Sequence, residues 1–309
     1  MRVLCTGPTS FSGAFFIEEL AKVGHDVLTT FTNPVDSYTG IRGIRAQKVL
    51  QCAEYVEGVS FGDQRFLDIV RSEAIDVFCH HGAWTANYNS NDYDFQSAFA
   101  NNTRNLPSIC EALAKNNCKG VVVSASIFEG GINASKPFSP HGLIKQLTSQ
   151  TTAFYAQQTG LHYSRFVIAN PFGQLDNPKL IDYLCREWYA GKIPEIKTPL
   201  YVRDNIHVEL LAKGFVHWLE NMPLQDATSN FAPAGYISTM QDFVEKVAME
   251  MRGRLSLDCA VRFAKQSDFS QPMVLVNDAP ISHLFEDWNE TQAWDALASH
   301  QRYLHQLRG

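Results

Sequence analysis

The sequence has 309 residues, 45% of them hydrophobic and 19% charged, which suffices for one large core or for two that share an interface. A formal net charge of −6 and the absence of any basic run argue against a nucleic-acid partner. No apolar run approaches the roughly 20 residues that span a bilayer, and an N-terminal core strand leaves no room for a signal peptide. The seven scattered cysteines contain no C-x-x-C pair. They predict buried thiols in a reducing cytoplasm.

The first 30 residues predict a strand–turn–helix–strand unit. A short apolar strand over residues 3–5 runs into a turn that reads Gly7-x-x-Ser10-x-x-Gly13. In such a unit Gly7 permits the tight turn, Gly13 lets the helix pack closely on the strand, and the helix N-terminus offers amides to a pyrophosphate. Ser10 replaces the middle glycine, which leaves two interpretations open: a nucleotide site or a structural turn.

Strands and helices then alternate through about residue 172. Strands are predicted at 55–57, 75–80, 120–124 and 163–168, and helices at 45–52, 64–72, 94–116 and 141–159. Further helices are predicted to end near residue 191 and to cover 207–221, 238–250 and 290–306. The alternation predicts the α/β class, with a Rossmann-type doubly wound parallel sheet. We expect a NAD(P)-binding domain over 1–172 and a smaller C-terminal α/β substrate-binding part over 173–309, with strands and helices exchanged between them.

Five stretches, taken in order, resemble one family. They are the turn from Thr6 to Gly13; Asp76-Val-Phe-Cys-His-His-Gly-Ala83; Val121-Val-Val-Ser-Ala-Ser126 through Gly131; Ser139-Pro-His-Gly-Leu-Ile-Lys145; and Tyr201-Val-Arg-Asp-Asn-Ile-His-Val208. Together they are similar to the extended short-chain dehydrogenase/reductases, the NAD-dependent epimerase/dehydratase family that modifies sugar nucleotides. The resemblance covers nearly the whole chain, from residue 2 to the 290s.

The resemblance implies three catalytic positions. Ser126 falls at the serine that hydrogen-bonds the substrate oxygen, and Lys145 at the lysine that also holds the nicotinamide ribose. His141 stands where the family has a tyrosine acid/base, one helical turn before the lysine. Two interpretations follow. An imidazole can accept or donate protons near neutrality, or His141 is a relic in a protein that binds without turnover. Tyr88 is a candidate substitute for the missing phenol, although an ordinary loop tyrosine is the simpler interpretation.

The residues after Ser126 narrow the set of reactions that the family resemblance allows. The family's 4,6-dehydratases carry Asp-Glu directly after the serine or threonine, whereas Ile127 and Phe128 follow here and Glu129 comes one place late. This pattern disfavours a 4,6-dehydratase. Epimerisation, alcohol oxidation and reduction of a keto-sugar remain.

The resemblance also implies a coenzyme site. The implied residues are Gly7, Ser10, Phe11, Gly13, Phe31, Thr32, Gly82, Ala83, Asn102 and Lys145. Members that prefer NAD have an acidic residue at the end of the second strand, where this chain has Thr30-Phe31-Thr32 and no acid before Asp36. Because no carboxylate would repel a 2′-phosphate there, and Arg42 or Arg45 could approach it, the prediction leans towards NADP(H).

For the substrate, the predicted residues are Trp84, Asn170, Arg203 and Arg262. Asn170 and Arg203 match positions that hold the nucleotide diphosphate in the family, and an arginine fork suits that anion. A surface role for Arg262 and core packing for Trp84 are the simpler alternatives. Asp204 and His207 are expected to be structural, and no metal is expected, because the adjacent residues His80 and His81 point to opposite faces of a strand.

We therefore predict a cytoplasmic NAD(P)-dependent keto-sugar reductase or epimerase acting on a nucleotide sugar, with a place in polysaccharide biosynthesis. By resemblance it is a homodimer that pairs through the helices near 94–116 and 141–159. The alternatives are a nucleotide-binding pseudoenzyme with a scaffold or regulatory role and, less favoured, a reductase of carbonyl compounds without a nucleotide.

Overall fold

The structure is a computed structural model that describes residues 1–88, 90, 92–130, 136–137 and 139–308. The chain divides into two compact units, residues 1–168 with 212–232 and residues 169–211 with 233–309. The chain therefore crosses between the units after residues 168, 211 and 232.

The strands, in chain order, are β1 (Arg2–Thr6), β2 (Asp26–Phe31), β3 (Glu54–Glu57), β4 (Val77–His80), β5 (Gly120–Ser126), β6 (His162–Ile168), β7 (Asn170–Phe172), β8 (Glu195–Ile196), β9 (Val202–His207), β10 (Thr228–Phe231), β11 (Pro233–Ala234), β12 (Tyr236–Thr239), β13 (Arg262–Phe263), β14 (Val274–Leu275) and β15 (Ala279–Pro280). The α-helices are α1 (Phe11–Lys22), α2 (Gly40–Leu50), α3 (Gln64–Ser72), α4 (Phe95–Thr103), α5 (Leu106–Lys115), α6 (Pro140–Gln158), α7 (Leu180–Tyr189), α8 (Val208–Glu220), α9 (Met240–Leu255) and α10 (Glu290–Arg308).

The first unit contains a seven-stranded sheet in the order β10-β6-β5-β4-β1-β2-β3, with every neighbouring pair parallel. The order from β6 to β3 is that of a doubly wound nucleotide-binding fold, so the predicted fold class is confirmed. The strand order reverses between β1 and β4, and ligands of such sheets bind beyond the carboxyl ends of the strands at that point. The turns after β1 and β4 are therefore the segments that position a site.

Apolar side chains fill both faces of this sheet. On one face Phe66 and Phe78 pack with Ile109 and Leu113 in a buried cluster. Elsewhere in the unit, Phe16 stacks on Phe215 at 4.3 Å between ring centroids, and Phe166 meets both rings edge to face. Burial on both faces of the sheet explains the apolar runs of β1, β4 and β5 in the sequence.

The prediction of one continuous helix over residues 94–116 is wrong. Residues 94–116 form two helices, because Asn105 adopts a left-handed backbone with φ of 54° and its amide donates to the carbonyl of Gly62 at 2.8 Å. Pro107 then lies in the first turn of α5, the helix position that tolerates proline. The helix predicted at 45–52 was also displaced, since α2 already begins at Gly40 and ends at Leu50.

The second unit is built from short strands and three helices among its described residues. Strand β9 is central to a small sheet in which it pairs with β12, β14 and β7. The core of this unit lies between α7, α9 and α10, where Trp188, Phe243 and Trp294 are buried together.

Candidate functional site

The turn after β1 is shaped by two glycines and a capping serine. Gly7 has a φ of +77°, and a Cβ at this position would lie 2.9 Å from the Gly82 backbone. A Cβ at Gly13 would lie 2.4 Å from the Gly7 carbonyl oxygen, so no larger residue fits there. Ser10 is the N-cap of α1, and its hydroxyl accepts a hydrogen bond from the Gly13 amide at 3.0 Å. The turn therefore presents backbone and the positive end of a helix dipole, an arrangement that fits a pyrophosphate.

The His81 imidazole fills the space behind this turn. Its Nε2 lies 2.8 Å from the Ser10 hydroxyl and its Nδ1 lies 2.6 Å from the Ser124 hydroxyl on β5. Burial, and then the charge of Lys145, lowers the pKa of His81 to about 3, so the ring is neutral at pH 7.

Thr6 joins the end of β1 to the end of β4, and Asn102 holds the segment that follows β4. The Thr6 hydroxyl accepts from the amides of His81 at 3.0 Å and Gly82 at 2.8 Å. The Asn102 carboxamide accepts from the Trp84 amide at 2.9 Å and donates to the Thr148 hydroxyl at 3.3 Å. Asn102 is 1% exposed, so its side chain positions the segment that contains Gly82 and Ala83 rather than lying open to solvent.

Ser126 ends β5, and a buried carboxylate lies directly behind it. The Ser126 amide donates to Glu129 Oε1 at 2.8 Å, while Glu129 Oε2 pairs with Arg165 at 2.8 Å and accepts from Ser149 at 3.3 Å. The Ser126 hydroxyl accepts from the Phe128 amide at 3.2 Å, which fixes the side chain beside the following turn. Gly131, which completes the predicted motif, lies outside the described residues.

The first turn of α6 lies against the turn that follows Ser126. A Cβ at Gly142 would come within 2.2 Å of the Phe128 carbonyl oxygen, which shows how closely the helix approaches. His141 precedes this glycine, and its ring packs against Tyr88 and Tyr93 at 5.4 and 6.2 Å between centroids. Within the described part of the chain, His141 Nδ1 is buried and has no hydrogen-bond partner.

Burial controls the protonation of His141 and of Lys145, which lies one helical turn further along α6. Desolvation, and then the Lys145 charge, lowers the pKa of His141 to about 4. Lys145 is 7% exposed, and burial lowers its pKa while the charge of Glu129 raises it. No carboxylate among the described residues forms an ion pair with Lys145.

The end of β2 lies beside α2, where arginine approaches the glycine turn. Arg42 Nε donates to the Thr9 hydroxyl at 2.9 Å, and its guanidinium lies 4.8 Å from the centroid of the Tyr38 ring. Phe31 is 1% exposed and packs against Tyr38 and Tyr55, whereas Thr32 is exposed. The Glu57 carboxylate, on the strand beside β2, accepts from the Val35 amide at 2.8 Å.

The predicted substrate residues fall in both units. Trp84 belongs to the first, where it packs against a small cluster formed by Tyr93, Ala98 and Ile144. In the second unit Arg203 is 7% exposed; it donates to the carbonyls of Val202, Pro272 and Met273 and to Gln271, without a carboxylate partner among the described residues. Asn170 donates to the Asp204 carbonyl at 3.2 Å, and Arg262 is exposed on β13.

The two residues expected to be structural are deeply buried. Asp204 is fully buried and accepts from the Gly235 amide at 2.8 Å, and burial raises its pKa to about 6. Burial lowers the pKa of His207 to about 4. No cluster of three metal-ligating side chains occurs among the residues that the structure describes, and none of the described helices is long and apolar enough to cross a membrane.

Comparison with the sequence models of known protein families shows which family the chain belongs to. The sequence model of the NAD dependent epimerase/dehydratase family matches residues 3–229, which is most of the chain. The chain belongs to this family. It is therefore an enzyme of the extended short-chain dehydrogenase/reductase type, as its sequence motifs predicted.

Solved structures of sugar-nucleotide epimerases share the fold of this family member. UDP-glucose 4-epimerase from Thermotoga maritima is 17% identical with a TM-score of 0.73 and covers 99% of this chain and 100% of its own. UDP-glucuronic acid 4-epimerase from Bacillus cereus, solved with UDP-glucuronic acid and NAD, is 15% identical with a TM-score of 0.73 and covers 98% and 100%. UDP-N-acetylglucosamine 4-epimerase from Methanobrevibacter ruminantium is 18% identical with a TM-score of 0.73 and covers 99% and 98%. A search of curated proteins gave no significant match.

Two residues beside the candidate site, His81 and Glu129, were not predicted as part of it. His81 was considered only as half of a metal pair, yet it bonds Ser10 and Ser124. Glu129 was used only to disfavour a dehydratase, yet it holds the Ser126 amide. A polar residue at a position that precedes a small-residue turn was the available signal for both.

Proposed function

We propose that this protein is a NAD(P)-dependent oxidoreductase that acts on a nucleotide-linked sugar, as a keto-sugar reductase or an epimerase. The observation that carries the proposal is the buried Nδ1 of His141, which has no hydrogen-bond partner among the described residues, on the helical turn that lies against the segment after Ser126. A buried nitrogen without a partner costs free energy unless a ligand supplies the hydrogen bond. The 4-epimerase activities named for the structural neighbours support the same substrate class.

The proposed chemistry assigns a role to each side chain. A nicotinamide coenzyme bound at the Gly7–Gly13 turn would supply hydride transfer. Ser126 would hydrogen-bond the reacting substrate oxygen, and the neutral His141 imidazole would hold or take the proton on that oxygen. Burial, and then the positive charge of Lys145, lowers the pKa of His141 and keeps its imidazole neutral.

Removal of the imidazole tests this assignment. We expect His141→Ala to lower kcat by about 10²- to 10⁴-fold, the usual contribution of a general acid–base, with coenzyme affinity nearly unchanged. His141→Tyr should retain more turnover than His141→Ala, because a phenol also supplies an exchangeable proton. Initial rates with keto-sugar nucleotides, together with coenzyme titrations, measure both quantities.

His283→Ala is the matched control, since His283 is exposed in the second unit. Unchanged turnover in His141→Ala would exclude the acid–base role. Stoichiometric oxidation of the reduced coenzyme would identify a reductase, whereas conversion of one sugar nucleotide into its epimer without net coenzyme consumption would identify an epimerase.

We also propose that the preferred coenzyme is NADP(H). Arg42 supports this preference, because its guanidinium lies beside the glycine turn through its bond to Thr9. An arginine near the adenosine ribose pairs with a 2′-phosphate.

In the second unit the nucleotide diphosphate is proposed to be held by Arg203 and Asn170, with Arg262 as a further contact. Trp84, in the first unit, stays a predicted substrate-binding residue. Arg203 supports the anion assignment, because a buried guanidinium without a described carboxylate partner retains an unneutralised positive charge. A diphosphate would neutralise it.

Finally, we propose a cytoplasmic homodimer that serves polysaccharide biosynthesis, the process that nucleotide sugars supply. Three apolar side chains support the interface: Phe95 on α4 is 37% exposed, and Leu143 and Phe154 on α6 are 39% and 57% exposed. All seven cysteines are free thiols, as suits a reducing compartment.

A further inference from the structure

A chain of hydrogen bonds joins the glycine turn to the strand that carries Ser126. The Ser10 hydroxyl lies 2.9 Å from the Gly7 carbonyl oxygen and can only donate to it. The same hydroxyl accepts from the Gly13 amide at 3.0 Å, so its remaining lone pair faces His81 Nε2 at 2.8 Å. With the Ser10 proton on the Gly7 carbonyl, His81 donates from Nε2 to Ser10, and the Ser12 hydroxyl, 3.3 Å from the same nitrogen, is a second polar contact of the ring.

This direction fixes the protonation of the whole ring. A neutral imidazole that donates from Nε2 accepts at Nδ1. The Ser124 hydroxyl, 2.6 Å from Nδ1, is then the donor. The order of donors is Ser124 to His81, His81 to Ser10, and Ser10 to the Gly7 carbonyl.

The two glycines make room for this ring as well as for a ligand. A Cβ at Gly13 would lie 2.8 Å from His81 Cδ2, and a Cβ at Gly7 would lie 3.2 Å from the same atom. Phe16 packs edge to face on the imidazole at 5.2 Å between centroids. The ring is thus held on several sides, which lets it act as a rigid spacer between α1 and β5.

We propose that His81 is a positioning residue for the coenzyme site, which sets the Ser10 hydroxyl through its Nε2 proton and receives its own orientation from Ser124. The inference rests on the proposed coenzyme site at the Gly7–Gly13 turn. It predicts that Ser124, whose hydroxyl is engaged by His81, nevertheless controls coenzyme affinity. It also predicts that Ser10 has no proton left to donate to a pyrophosphate, which must bind to backbone amides.

Coenzyme titration of serine variants tests the relay. NADH and NADPH are titrated into the wild-type protein and into Ser124→Ala, Ser124→Thr and Ser164→Ala. We expect Ser124→Ala to raise Kd by about 10-fold, the effect of one lost hydrogen bond of about 1.4 kcal/mol, and Ser124→Thr to restore binding because it keeps the hydroxyl. Ser164→Ala is the matched control, since that buried hydroxyl lies on the neighbouring strand β6 and accepts a hydrogen bond from Trp218 Nε1.

A double variant and the histidine tautomer separate the relay from general destabilisation. We expect the double variant Ser124→Ala with His81→Leu to bind coenzyme no more weakly than His81→Leu alone. Both changes interrupt the same series of hydrogen bonds, so the second one adds no further loss. Nitrogen-15 NMR of labelled histidine should show His81 as the Nε2–H tautomer at pH 7, with a mixture of tautomers in Ser124→Ala.

The outcomes distinguish the relay from the proposed function. If the wild-type protein binds neither coenzyme, both fail. If the wild-type protein binds but Ser124→Ala binds equally well, or if wild-type His81 is the Nδ1–H tautomer, only the relay is overturned. Additive losses in the double variant would overturn it too.

Discussion

His141 is proposed to take the position of the family's acid–base tyrosine, and its surroundings bear on how an imidazole would act there. Burial and the Lys145 charge hold its pKa near about 4, so the ring is neutral across the physiological range. The rings of Tyr88 and Tyr93 pack against it without supplying a hydrogen bond to Nδ1. In the proposed role this nitrogen, which has no hydrogen-bond partner among the described residues, would hydrogen-bond the reacting substrate oxygen.

The proposed preference for NADP(H) can be tested at Arg42. We expect Arg42→Ala to weaken NADPH binding by about 10-fold or more, because a hydrogen bond to a charged group contributes about 1.5–3 kcal/mol. NADH, which lacks the 2′-phosphate, should bind with nearly unchanged affinity. Parallel titrations of both coenzymes measure the ratio.

Arg65→Ala provides the control for a change of net charge, since its guanidinium donates to the Gly58 carbonyl. An equal loss of affinity for NADH and NADPH in Arg42→Ala would assign Arg42 to the turn rather than to the 2′-phosphate.

At the scale of elements, we propose that α6 combines a catalytic and an assembly role. The first two turns of α6 carry His141 and Lys145, while Leu143 and Phe154 of the same helix are exposed. A single helix could thus position the proposed acid–base and cover its apolar face against a second copy. Exposed apolar side chains on one helix are a usual sign of an interface.

We expect Phe154→Glu to convert the proposed dimer into a monomer, because a carboxylate would have to be buried in an apolar contact. Light scattering coupled to size-exclusion chromatography measures the mass. Met249→Glu is the matched control, since Met249 is 62% exposed on α9 of the second unit. A wild-type monomer, or a Phe154→Glu dimer, would contradict this interface.

Sequence patterns predicted the elements of the first unit well and failed where local geometry decides. The helix over 64–72 and the strand that begins at Gly120 follow directly from apolar spacing and bounding polar residues. The break at Asn105 does not, because its left-handed backbone is stabilised by a bond to the distant Gly62 carbonyl. Within the candidate site, residue types marked Ser126 and Lys145, whereas the contacts of His81 depend on strands brought together by folding.

For the whole molecule, buried histidines determine the response to acid. Burial lowers the pKa of His80, His141 and His207 to about 4 and of His81 to about 3, against about 6.5 in an unfolded chain. The unfolded state therefore binds more protons between about pH 6.5 and 4, so stability falls as the pH is lowered through that window. Each histidine contributes up to about 1.4 kcal/mol per pH unit.

Asp204 opposes this loss, because burial raises its pKa to about 6 and its protonated form stabilises the folded state at lower pH. Because one carboxyl opposes four histidines, the folded state still loses stability as the pH falls. We expect Tm to fall between pH 7 and pH 5, and Asp204→Asn to steepen that decline; calorimetry across this range measures both. A Tm that is constant or higher at pH 5 would contradict the neutral state of these histidines in the fold.

The sequence by itself determined the α/β class, the alternation of strands and helices, the family, and which residue types stand at the expected catalytic and turn positions. These properties are encoded locally, in apolar periodicity and in short motifs. Tertiary structure alone decided that His81 bridges Ser10 and Ser124, that Glu129 is buried behind Ser126, and that His141 Nδ1 is buried without a described partner. The reason is physical: the direction of a hydrogen bond and the desolvation of a charge depend on groups far apart in the chain, which only the packed sheet brings within reach.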